Sequence, residues 1–134
     1  MARSTERRWQ AALIAAALAL PAHAATSVDC HLTYGGETRV VSAQPTTAPE
    51  TIAPVAIGSY FLFRIVFRQK PADLAGIKLT TYADRDEGPT IIHQASHPYP
   101  PPAAAVHGFS GLNFVYEPVR DGELQYWCEV KETP

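Results

Sequence analysis

The chain has 134 residues, 46% of them hydrophobic and 18% charged, with 11 Lys and Arg against 13 Asp and Glu and a formal net charge of −2 at pH 7. That mild acidic balance excludes nucleic acid and anionic membrane surfaces as electrostatic partners. The length suits one domain with a real core rather than a multidomain chain.

Arg3, Arg7 and Arg8 give a positive start, followed by the ten-residue apolar run 11–20 (AALIAAALAL). Pro21 ends the run, and Ala22, His23 and Ala24 form a small-x-small cleavage site. The pattern predicts a secretory signal peptide over residues 1–24. The run is too short to span a bilayer, which needs roughly 20 apolar residues. Glu6 before Arg7-Arg8, and Trp9-Gln10 after it, favour ordinary secretion over the twin-arginine route. Cys30 follows Ser27, Val28 and Asp29 rather than the apolar run, so no lipid anchor is expected. The short basic start and Ala-rich core look bacterial, and the expected address is the periplasm. Residues 25–134 then carry 8 Lys and Arg against 12 Asp and Glu, a net charge of −4, and no apolar run that could span a membrane. The partner class this points to is another periplasmic or envelope protein.

After Ala24 no helical periodicity is sustained. Short apolar or alternating runs are separated by Gly and Pro, which predicts an all-β, immunoglobulin-like or related antiparallel β-sandwich of about seven strands over 25–134. Val28, Cys30, Leu32 and Tyr34 alternate with polar residues, and Gly35-Gly36 joins them to residues 37–42 as a hairpin. Pro45, Pro49 and Pro54 argue for a loop or an irregular edge over 43–57. Residues 60–68 (YFLFRIVFR) form the clearest strand, with Phe61, Phe63, Ile65 and Phe67 inward. The opposite face, carrying Arg64 and Arg68, is expected to meet solvent or a partner. A helical turn fits 72–75, strands fit 77–83 and 90–95, and a turn fits 84–89. Residues 98–102 (PYPPP) favour polyproline II, and 103–105 and 108–111 read as loop.

For the last hairpin, patterning favours a three-residue loop at Arg120, Asp121 and Gly122. That register places Phe114 opposite Cys128, Tyr116 opposite Tyr126 and Leu112 opposite Val130 on the core face. Val115 then lies outside with Trp127, and Glu117 outside with Gln125.

An even cysteine count in an oxidising compartment predicts a Cys30–Cys128 disulfide that ties the first strand to the last. A redox pair is disfavoured, because there is no Cys-x-x-Cys and no adjacent cation to lower a thiol pKa. His93 and His97 share a face in an extended chain, and with His107 could hold zinc or copper(II). Asp84, Asp86 and Glu87 form a solvated turn rather than a calcium loop or a glycosidase pair. Ser110 lacks the Gly-x-Ser-x-Gly spacing of a nucleophile elbow. No phosphate loop occurs, and no cofactor is expected. The candidate binding residues are Trp127, with Val115 beside it, on the outer face, and Tyr99 in a stiff proline-rich loop.

Two resemblances add to this. Tyr126, Trp127 and Cys128 resemble the Tyr-x-Cys of immunoglobulin domains. Only six residues follow Cys128, and Cys30 lies 98 positions upstream, so the resemblance implies a sandwich and not that topology. Residues 58–68 (GSYFLFRIVFR), 92–95 (IHQA), 108–112 (GFSGL), 116–118 (YEP) and 123–128 (ELQYWC) are similar to a group of small exported proteins of high-GC proteobacteria. That resemblance implies an exported address and a domain extent, and no activity. The expected function is a small periplasmic binding or structural module without catalysis. The rival is a metal-binding or small enzymatic protein built on His93, His97 and His107. The first predicts an exposed apolar patch around Trp127, the second converging imidazoles.

Overall fold

A computed structural model describes residues 25–103 and 106–134. The predicted signal segment lies outside them, as do Ala104 and Ala105 of the predicted loop. Eight antiparallel strands form two four-stranded sheets. β1 (Ala25–Tyr34) and β2 (Glu37–Ala43) are joined by Gly35 and Gly36. Both glycines have φ near +60 to +80°, which a two-residue hairpin loop requires. β3 (Val55–Ile57), β4 (Phe61–Arg68), β5 (Gly76–Arg85) and β6 (Gly88–His97) follow. β7 (Asn113–Glu117) and β8 (Gly122–Thr133) complete the fold. The sheets run in the orders β2-β1-β8-β7 and β3-β4-β5-β6. The eighth strand is β3, a three-residue edge emerging from the proline-rich segment, where Pro54 precedes it.

The core lies between the sheets. Phe61, Phe63, Ile65 and Phe67 of β4 point inward, as their alternation predicts, and meet Val28, Leu32, Leu124 and Tyr126 of the opposite sheet. Cys30 and Cys128 face each other across β1 and β8 and form the disulfide, with Cα atoms 4.1 Å apart. The first and last strands are therefore neighbours in the middle of one sheet.

The last hairpin departs from the predicted register. Val115 pairs with Leu124, Phe114 with Gln125 and Glu117 with Gly122, enclosing a four-residue loop. Val115 is 3% exposed, whereas Phe114 and Tyr116 are 58% and 54% exposed. The reason is Glu117, which is fully buried. Its Oε1 accepts from Arg85 Nη2 at 3.1 Å and from the Val119 amide. Its Oε2 accepts from the Arg120 amide at 2.9 Å and from Arg120 Nε. Arg120 also lies over the Tyr60 ring. Four donors, one from β5 and three from the loop between β7 and β8, satisfy one carboxylate, which allows an acidic residue to take the core face. Burial by itself raises the Glu117 pKa, but these hydrogen bonds outweigh it and hold the group below its ordinary 4.5.

A depressed folded pKa contributes stability above the unfolded value and loses it as pH falls through the folded one. Glu117→Gln is expected to be less stable than wild type at pH 7, with the difference shrinking as pH drops below about 4.5. Urea unfolding at several pH values measures it, and a difference independent of pH would refute the ion-pair account.

The loop between β6 and β7 closes one side of the sandwich. Gly108 bridges to Cys128 with φ +57°. A Cβ there would sit 2.0 Å from the Cys128 carbonyl oxygen, so only glycine fits. The Cys128 carbonyl accepts from the Phe109 amide, and the Cys128 amide donates to Ser110 Oγ at 2.8 Å.

The four sheet edges are each short, bulged or flanked by a charge. β3 and β7 have three and five residues. β6 carries a bulge where its register with β5 shifts between Thr81 and Tyr82. On β2, Arg39 lies on the core-facing side opposite Leu32, and its Nη1 donates to the Ala56 carbonyl of β3.

Candidate functional site

The outer face of the β2-β1-β8-β7 sheet holds the anticipated Trp127. Trp127 and His31 are directly opposed on β8 and β1 and stack with ring centroids 3.9 Å apart and planes within 4°. His107 meets the indole edge-on. His31 Nε2 donates to Glu129 Oε2 at 2.6 Å. Val40, Leu112, Phe114 and Tyr116 are exposed. Of these, Val40, Phe114 and Tyr116 share the outer face with Trp127 in the observed register. The half-buried Trp127 is therefore outside as predicted, but Val115, expected beside it, belongs to the core. Tyr99 also turns inward: its ring packs edge-on against Phe67, and Gln69 Nε2 donates to its hydroxyl.

The three histidines do not converge. His93 and His97 lie on the core-facing side of β6, where His93 Nδ1 is 3.3 Å from the Tyr126 hydroxyl and His97 packs on Phe109. His107 sits across the other sheet, against Trp127. Burial lowers the His93 and His97 pKa values from 6.5, which favours neutral imidazoles. It pushes Tyr126 up to about 12. Among the described residues no group of three or more His, Cys, Asp or Glu side chains is placed to hold a metal ion. The Ser110 hydroxyl accepts from the Cys128 amide and donates to the Gly111 carbonyl.

A concave site lies on the opposite side of the molecule. Arg64, Val66 and Arg68 point outward from β4, and Lys78 and Ser96 stand on the same face of β5 and β6. A 3-10 turn at Ala72–Leu74 raises Leu74 on one side. A second turn at Pro49–Thr51 closes the other. Together they border an open cavity of about 430 Å³ with Val66, Leu74, Ala75 and Pro49 as its apolar walls. Arg64 is held in place: Nε donates to the Ile52 carbonyl at 2.8 Å and Nη2 to the Pro49 carbonyl. Arg68 Nε is buried without a hydrogen-bond partner among the described residues. Among the described residues no carboxylate lines the cavity. Glu50 and Asp73 belong to the two bordering turns and are not among its lining residues.

Sequence reading exposed the two arginines through the alternation of residues 60–68. It missed Lys78, Leu74 and Pro49, which reach the site only through sheet pairing and the two turns. Ser96 and His97 are adjacent on β6, so their side chains leave opposite faces. His97 also borders the cavity, with its imidazole packed on Phe109 on the core-facing side of β6. The chain matches no protein-family model, no curated protein and no solved structure.

Proposed function

We propose that the protein is an exported, periplasmic binding module that takes a small ligand in the cavity on the outer face of the β3-β4-β5-β6 sheet, without catalysing a reaction on it. The carrying observation is the cavity: a concavity of about 430 Å³ falls in the range of roughly 300–1,000 Å³ occupied by small-molecule sites, and like them it combines apolar walls with a few polar groups. The basic start, apolar run and Ala-x-Ala site support the exported address, as does the disulfide. Docking of an envelope protein on the Trp127 face is a second reading, favoured by the exposed Val40, Phe114 and Tyr116.

The cavity reading is tested by screening a chemically mixed fragment set by protein-observed NMR against wild type and Ser96→Trp. Ser96 is exposed, so the indole fills the cavity without touching the core. Fragments are expected to shift the Val66, Leu74 and Gly76 amides of wild type and to leave those of Ser96→Trp unmoved. Equal binding to both proteins, or no fragment acting at those amides, would count against it.

A further inference from the structure

Resting on the cavity reading, we infer that the ligand is an oxyanion, a carboxylate or phosphate group carried on a compact apolar body. Residues 25–134 are net acidic, yet three of their eight Lys and Arg side chains line this one cavity. Arg64, Arg68 and Lys78 have no carboxylate partner among the described residues. Three cations gathered without a counter-charge repel one another, and a bound anion relieves that repulsion.

Two details favour an oxyanion over a diffuse counterion. The Arg64 guanidinium is pre-set by the Ile52 and Pro49 carbonyls, so little side-chain freedom is lost on binding. Arg68 offers a buried Nε–H with no acceptor among the described residues, and a planar guanidinium matches the paired oxygens of carboxylate or phosphate. The apolar part of the ligand follows from Val66, Leu74, Ala75 and Pro49 on the walls. A bare inorganic ion would leave those walls in water, whereas a short aliphatic or aromatic body would cover them.

The test is calorimetric titration at low salt with hexanoate, hexyl phosphate, hexanol and hexylamine, alongside a short peptide ending in leucine as free acid or amide. Hexanoate or hexyl phosphate is expected to bind at least about tenfold more tightly than hexanol, with hexylamine weakest and affinity falling as salt rises. Arg68→Gln is expected to weaken the anion by about tenfold and Lys78→Gln by less, since Lys78 is a solvated point charge. Lys78 is exposed, so its variant keeps the test open should Arg68→Gln fail to fold. Binding of the free-acid peptide but not of hexanoate would assign the anion to a polypeptide terminus rather than a free acid. Hexanol or hexylamine binding as well as hexanoate would overturn the anion claim and leave the cavity reading standing. Fragments bound at the cavity amides with none of these probes bound would do the same, while silence from every probe and fragment would remove both.

Discussion

Replacing Cys30 and Cys128 together by alanine is expected to lower the unfolding free energy by about 4–5 kcal/mol, the chain-entropy value for a loop of ~100 residues. The two cysteines are 98 positions apart and directly opposed on β1 and β8. Their bond closes almost the whole described chain in the unfolded state. Both are fully buried, so alanine also removes two sulfur atoms from a packed interior. Domains of this size have roughly 5–15 kcal/mol in total, so the variant should be only marginally folded. Urea unfolding of wild type and the double variant gives the difference, and intact mass after alkylation without reductant checks the bond in the wild type. A loss below about 1 kcal/mol would mean that the closed loop constrains the unfolded chain far less than chain statistics require.

The second large effect contrasts two aromatic truncations. Phe63 is fully buried and packs 5.0 Å, centroid to centroid, from Tyr126 across the sandwich. Phe63→Ala should cost about 3–5 kcal/mol, the range for core aromatic deletions. Trp127 is half-buried on the outer face, where its main contacts are the His31 stack and the His107 edge. Trp127→Ala should cost only about 1–2 kcal/mol, the worth of an aromatic pair plus partial burial. Both variants can be compared by urea unfolding under one set of conditions. If Trp127→Ala proves the more damaging, the His31–Trp127–His107 array is a structural element, and the outer face loses its claim as a contact surface.

Much of the fold was legible where local pattern and tertiary structure agree. The alternation of residues 60–68 specifies β4 and its buried face. Gly35-Gly36 specifies the first hairpin, and the cysteine count specifies the staple. The last hairpin was misread because apolar patterning treats a carboxylate as a surface group. Glu117 overrides it through Arg85, 32 residues away, and through the turn at Arg120. No local signal announces a donor that distant. The same reversal moved Val115 from an expected contact residue into the core. His107 was grouped with His93 and His97 on proximity along the chain, but the crossover between sheets puts it on the far side of β8. The cavity was half legible: strand period exposes Arg64 and Arg68 together, while Lys78 joins them only through the pairing of β5 with β4.

The four edges bear on how the molecule behaves in company. An unpaired strand edge is a template on which another chain can grow a strand, and repeated growth of that kind ends in fibrils. Here β3 and β7 are too short to seed such growth, the β6 bulge bends the hydrogen-bonding row out of line, and Arg39 puts a charge under β2. An incoming strand at β2 would have to cover that guanidinium, and one at β6 could not stay in register past the bulge. The fold thus resists edge-on polymerisation, which leaves association to surfaces other than its strand edges.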